Sequence, residues 1–334
     1  ITSTMCCAMK NDHPHGAVTR RDLFKRAAGA AALVSLAGGA GWFFHQRRLV
    51  PPPRDAKLVP SFAVPDTHGL LTIARGANPA ALVTAALAEL GGMARFVKPG
   101  DRVLVKPNCA FDRPPHLGAT TSPAVLAEVV RQCKAAGAEV RVTDNPINNA
   151  EGCFIKSGLR EATERAGGMV WLPTPAMFGP TRVGRMKIPV WDVMYAPLLW
   201  ATKLIGVPTV KTHNLCHVSL AMKNWYGFLG DGRARMHQAI HDVIADLGAF
   251  ITPTLVIMDG TRLLLRNGPT GGSVADVAPG NVVAAGTDQV ALDALACSWL
   301  NVPAEDVLFL QHAASLQLGS PHWRALPHFK EISV

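Results

Sequence analysis

Four clusters of polar side chains carry most of the chemical potential of this chain. Lys106-Pro107-Asn108 closes one apolar run, Asp144-Asn145 a second, Lys211-Thr212-His213 a third and Asp259-Gly260 a fourth, with Lys223-Asn224 between the last two. Three lysines brought together beside the amides of Asn108 and Asn224 would form an anion pocket for phosphate or carboxylate, because ammonium groups and neutral N–H donors both complement such oxygens. Backbone N–H groups of a helix starting at Ser122 would add to it. Glycines at 268–272 could let backbone approach the same ligand, although no GxxxxGK[ST] loop is present.

Histidines offer a second chemistry. His213 with His217 and His237 with His241 are spaced four apart, so on helices each pair would share a face and could chelate a transition metal. Neither pair encloses the glutamate of a zincin, and His213 directly follows an apolar strand pattern. Asp259, with Asp288 or Asp293, could complete a carboxylate–histidine set. Cys216 between His213 and His217 could be a nucleophile, but an isolated cysteine is more often a small buried hydrophobe. No Ser–His–Asp order, nucleophile elbow or glutamate pair stands out.

These residues need strands and helices to place them. Arg102–Lys106, Glu139–Thr143, Met169–Leu172, Lys203–Val207, Thr254–Met258 and Val282–Ala285 read as strands. Ser122–Ala136, Glu151–Ala166, Met236–Phe250 and Thr287–Leu300 read as helices, and a loop and helix run through Trp225. Pro123 and Thr287 mark helix starts and Gly137 a helix end. The alternation predicts an α/β, Rossmann-like fold, a mostly parallel sheet flanked by helices. Its polar strand ends would then share one crevice. Residues 173–200, rich in Pro and aromatics, read as an inserted, exposed segment.

In this order the motifs resemble the domain-of-unknown-function 362 family. They are VLVKPN (103–108), TTSP (120–123), the segment around 137–144, VKTH (210–213), MKNWYG (222–227), His237, MDG (258–260), GPTGG (268–272) and GTDQVALDA (286–294). The resemblance covers about residues 100–295 and implies no particular reaction. Some relatives carry cysteine-rich iron–sulfur segments. Here the seven cysteines are scattered without a CxxC pair, so no Fe–S signature exists and the cofactor stays unassigned, with a metal at the histidines as the remaining option.

Composition narrows the partners. Residues 1–50 hold seven basic and two acidic residues, so only +4 of the +9 net charge belongs to the remaining 284 residues, with no Lys/Arg stripe suited to nucleic acid. Thr19-Arg20-Arg21-Asp22-Leu23-Phe24-Lys25 resembles a twin-arginine export motif, so residues 1–26 read as the leader's polar region. Residues 27–44 form an uncharged stretch long enough for a hydrophobic helix of bilayer thickness. Cleavage-site candidates around residues 37–40 are poor, so this helix is expected to remain as a membrane anchor. Prolines at 51–53, 60 and 65 suggest an extended linker over 45–68, leaving 69–334 as the α/β domain.

Two functional readings follow. One is an accessory subunit of a larger energy-transducing complex, anchored in the inner membrane with its domain in the periplasm. It would contact other subunits through the 173–200 segment with Trp171, Trp191, Tyr195 and Trp200. The poor cleavage site and the lack of a complete catalytic constellation favour it. The other is a periplasmic enzyme that holds an anionic substrate, with or without a metal, in the Lys/Asn/His crevice.

Overall fold

A computed structural model of the chain describes residues 56–184, 186–230 and 232–334. Arg20, Arg21, the expected hydrophobic helix at 27–44 and residues 45–55 of the expected linker lie outside them. Among the described residues, no helix is long and apolar enough to cross a membrane.

The described residues form twelve strands in chain order: β1 Leu70–Arg75, β2 Arg102–Pro107, β3 Glu139–Val142, β4 Met169–Val170, β5 Phe178–Arg182, β6 Val190–Met194, β7 Lys203–Val207, β8 Thr209–His213, β9 His217–Ser219, β10 Leu255–Leu264, β11 Val277–Gly286 and β12 His328–Ser333. Ten join one sheet in the order β12-β1-β11-β10-β7-β2-β3-β4. β8 pairs with β10 beyond the end of β7, and β9 with β8. The fold is α/β and the sheet mostly parallel, as expected. The exceptions are β11, antiparallel to both neighbours, and the β8–β9 hairpin.

Both faces of the sheet are buried, which is why its strands read as near-continuous apolar runs. Alternation along each strand sends side chains to opposite cores. Val103, Val105, Ile257 and Val283 join one core with the helices Pro79–Glu89 and Pro123–Ala135. Leu104, Val256, Met258 and Ala284 join the other, with the helices Ile240–Phe250 and Gln289–Trp299.

Several expectations need correction. The helix over Glu151–Ala166 is two helices, Ala150–Lys156 and Leu159–Arg165, broken at Gly158 with φ +73°. Arg233–Ala239 is a 3-10 turn, so the α-helix begins only at Ile240. Residues 209–219, expected as a loop, are the β8–β9 hairpin. The 173–200 segment is no exposed insertion. It forms the β5–β6 hairpin and the helix Tyr195–Trp200, and it buries Met177, Val193, Met194 and Leu198 in the core. Trp171 and Trp200 flank the Arg141 guanidinium at 4.6 and 4.4 Å, a cation–π arrangement. Residues 57–68 also pack on the domain. Lys57 bonds Pro180 and Arg182 through its backbone, and buried Phe62 bonds Thr252 and Thr254.

Candidate functional site

Where β2, β3 and β8 end, the side chains of Lys106, Asn108, Asp144, Lys211 and His213 meet those of Lys223, Asn224, Tyr226 and Arg233 around a cavity of about 220 Å³. The three lysines expected to converge therefore do so, with both asparagines between them. Among the described residues, four cationic side chains and a single carboxylate, Asp144, line the cavity.

One flank is internally matched. Lys106 Nζ donates to Asp144 Oδ1 at 2.8 Å, to the Pro107 carbonyl at 2.9 Å and to Asn224 Oδ1 at 3.1 Å. All three ammonium protons thus have acceptors. Asp144 accepts from the backbone N–H groups of Cys109 and Asn145 at 2.7 and 2.8 Å, which fixes its carboxylate. Burial lowers the Lys106 pKa and the Asp144 charge opposes that fall. Arg233 closes this flank by donating to the Asn145 carbonyl at 2.7 Å. Gly227 permits the pairing. A Cβ there would stand 1.9 Å from Asp144 Oδ1 and 2.6 Å from Lys106 Nζ.

The other flank lacks a carboxylate among the described residues. Lys211 Nζ donates to Asn108 Oδ1 at 2.9 Å and to the Ala119 carbonyl at 2.7 Å, beneath the Phe111 ring. Burial, reinforced by neighbouring Lys223, pushes its pKa down to about 7. Lys223 Nζ lies 4.4 Å from the centre of the Tyr226 ring, and among the described residues no carboxylate or carbonyl accepts from it. Its pKa falls, chiefly through burial. The Tyr226 hydroxyl is also buried, without a hydrogen-bond partner among the described residues. His213 accepts the Leu215 N–H at Nδ1 (3.1 Å), and burial beside Lys223 and Lys211 lowers its pKa to about 2, so it is neutral.

The histidine pairs do not form as spaced. His213 and His217 are register partners across the β8–β9 hairpin, not neighbours on a helix. His213 instead stacks with His237, ring centroids 6.4 Å apart, while His241 packs near Phe309. His217 and His241 do not line the cavity. Among the described residues no group of three His, Cys, Asp or Glu is arranged to hold a metal ion. Cys216 is buried and its pKa is raised to about 11, largely by burial, which leaves the thiol protonated and a poor nucleophile.

Asp259 is also not a lining residue. It sits within β10, buried, accepting from the Ser122 N–H at 2.6 Å and from Thr261. The Ser122 N–H is consequently committed to Asp259 and adds nothing to the pocket. Thr121 links the same turn to the site, accepting from the Asn108 N–H at 2.7 Å and donating to the Val207 carbonyl. Asp288 caps its own helix through the N–H groups of Val290 and Ala291. Asp293 accepts from the N–H groups of Ala221 and Met222 at 2.7 and 3.1 Å, holding the start of the turn that bears Lys223 and Asn224. Gln289 accepts from the Trp225 indole at 2.8 Å and anchors the far side of that turn. The GTDQVALDA stretch therefore serves the site from behind.

Asp144, Asn145, Asn214, Ser219, Tyr226 and Arg233 are the polar lining residues that sequence reasoning left out of the candidate site. The MKNWYG motif contains Tyr226 and the Asp144-Asn145 strand end had been singled out, so both were within reach. Arg233 had no comparable signal.

These features define an α/β domain with a buried cationic pocket at its strand ends. Residues 103–298 match the family described as "Domain of unknown function (DUF362)", and the chain belongs to that family. It is 30% identical over 224 residues to a thylakoid-associated protein of Synechocystis sp., an alignment covering 62% of this chain and 65% of that relative, just under two thirds of its length. Among solved structures it is similar to the lactate racemase apoprotein of Thermoanaerobacterium thermosaccharolyticum. That match has a TM-score of 0.38 and 12% identity, over 72% of this chain and 61% of that one.

Proposed function

We propose that the domain holds a small organic anion between Lys223, Lys211 and Tyr226, as a periplasmic enzyme or binding protein would hold its substrate. One observation carries this reading: among the described residues Lys223, a largely buried lysine, has an ammonium with no acceptor, and the Tyr226 hydroxyl of the same cavity is buried without a hydrogen-bond partner. A buried charge without a partner is costly, and a ligand carboxylate or phosphate would accept from both groups. The ligand would gain charge-assisted hydrogen bonds in a poorly solvated site.

Calorimetric titration with acetate, succinate and inorganic phosphate tests the proposal. Saturable binding with a Kd at or below about 1 mM is expected. Lys223→Met should abolish it while leaving the fold intact or more stable, since a hydrophobe replaces an unpaired buried charge. Equal binding by wild type and Lys223→Met, or none by wild type, would sink the idea.

A second reading keeps the domain as a membrane-anchored, periplasm-facing accessory subunit of a larger inner-membrane complex. Its support is the export motif with the apolar stretch at 27–44, together with a relative described as thylakoid-associated. Gentle solubilisation followed by size-exclusion chromatography and mass spectrometry tests it. Co-migration with other membrane subunits is expected, whereas a leader-cleaved monomer in the soluble fraction would refute it.

A further inference from the structure

The pocket has an apolar mouth above its cationic floor. Ala110, Phe111, Ile147, Leu215 and Pro269 line it together with the polar residues. The loop at Ala110 is joined to Ile147 by the Ile147 N–H, which donates to the Ala110 carbonyl at 2.9 Å, so the two form one continuous wall. Leu215 stands at the tip of the β8–β9 hairpin, its N–H tied to His213. Ile147 and Leu215 are 65% and 52% exposed. A single exposed aliphatic residue is ordinary, but two converging on the rim of a charged cavity are not explained by packing.

Resting on the anion-binding reading above, we infer that the ligand is an amphiphile, with a carboxylate or phosphate head on Lys223 and Lys211 and a hydrocarbon chain leaving past Phe111, Ile147 and Leu215. The cationic floor supplies charge complementarity to the head. The chain would cover apolar surface that the fold leaves in water, and burial of such surface is favourable in proportion to its area. A fully polar ligand of the same charge would satisfy the floor and leave the mouth wet.

The test is a titration series on the purified chain with inorganic phosphate and butyl, hexyl and octyl phosphate, repeated with acetate, butyrate, hexanoate and octanoate. Affinity should tighten about fourfold per added methylene until the chain clears the rim. The stronger of the two series identifies the head group. Ile147→Ser with Leu215→Ser should flatten this slope while leaving phosphate and acetate binding unchanged, and both positions are exposed enough to keep the fold. If wild type binds phosphate and octyl phosphate equally, the amphiphile is ruled out and the anion site stands. If it binds neither, both readings fail. A slope unchanged in the double variant would mean detergent-like adsorption and overturn the inference. So would a flat slope accompanied by vesicle flotation that the double variant loses, since the rim would then meet a bilayer and not a ligand chain.

Discussion

The two flanks of the pocket use the same side chain to opposite ends. Lys106 sits among three acceptors, one of them a carboxylate, whereas Lys223 has the face of an aromatic ring and nothing to donate to among the described residues. Both lysines are buried. The first is part of the framework, because its charge is neutralised within the fold and its removal would orphan Asp144. The second is available to a ligand, because it lines the cavity and among the described residues no anionic group pairs with it. Convergence of lysines alone would not have separated these roles. The positions of the acceptors do.

The sharpest way to break this comparison is to give Lys106 the circumstances of Lys223. Asp144→Ala removes the sole carboxylate of the described lining and also strips acceptors from the Cys109 and Asn145 N–H groups. Breaking a buried pair this way should cost about 3–5 kcal/mol of stability. Chemical denaturation would measure the loss, and phosphate should restore more stability to this variant than to wild type, since a second buried cation then seeks an anion. A variant as stable as wild type would show that the matched flank is not structural.

Gly227 offers a gentler intervention on the same pair. A methyl group there meets Asp144 Oδ1 at 1.9 Å and the Lys106 ammonium at 2.6 Å, so Gly227→Ala must push the ion pair apart or shift the turn. Overpacking of this kind costs about 1–3 kcal/mol. The fall in denaturation midpoint should come with little change in anion affinity, because Lys223 and Tyr226 are on the other flank. A large loss of affinity instead would show that the flanks are coupled.

Much of this arrangement was legible in the sequence, and the reasons are physical. Parallel strands buried on both faces leave long apolar runs, so β2, β3 and β7 were found within a residue or two. Their polar ends marked the crevice, and Lys106, Asn108, Lys211, Lys223 and Asn224 all reached it. What failed was local geometry that side-chain spacing does not determine. A separation of four places two histidines on one helix face but also places them opposite each other in a tight hairpin, and His213 and His217 took the second option. Asp259 follows an apolar run, yet β10 continues through it to Leu264, so its carboxylate turned inward to the Ser122 turn. Asp288, Gln289 and Asp293 look like site residues by type, and only three-dimensional placement shows them holding the site from behind.

The smallest expected effect is a proton, and it distinguishes the flanks without any substitution. Lys211 has its pKa pushed down to about 7 from the ordinary lysine value of 10.5, chiefly by burial and next by the charge of Lys223. Between those two values the unfolded chain holds a proton that the folded one has lost. This group therefore makes stability rise with pH from about 7 to about 10.5, by at most about 1.4 kcal/mol per pH unit, and adds no slope below that window. Anion binding has the opposite dependence, because the ligand needs the ammonium form and must bring the proton back. At pH 8, titrations in two buffers of unlike ionisation enthalpy should show uptake approaching one proton per anion bound, and affinity should weaken as pH rises above 7. Lys211→Met should remove that uptake. If the uptake persists in Lys211→Met, the titrating cation is elsewhere, with Lys223 the next to examine, since burial lowers its pKa as well. If wild type takes up no proton, Lys211 is already charged in the empty pocket. Its two acceptors, Asn108 Oδ1 and the Ala119 carbonyl, would then suffice to hold an ammonium, and Lys211 would belong with Lys106 on the matched side of the comparison.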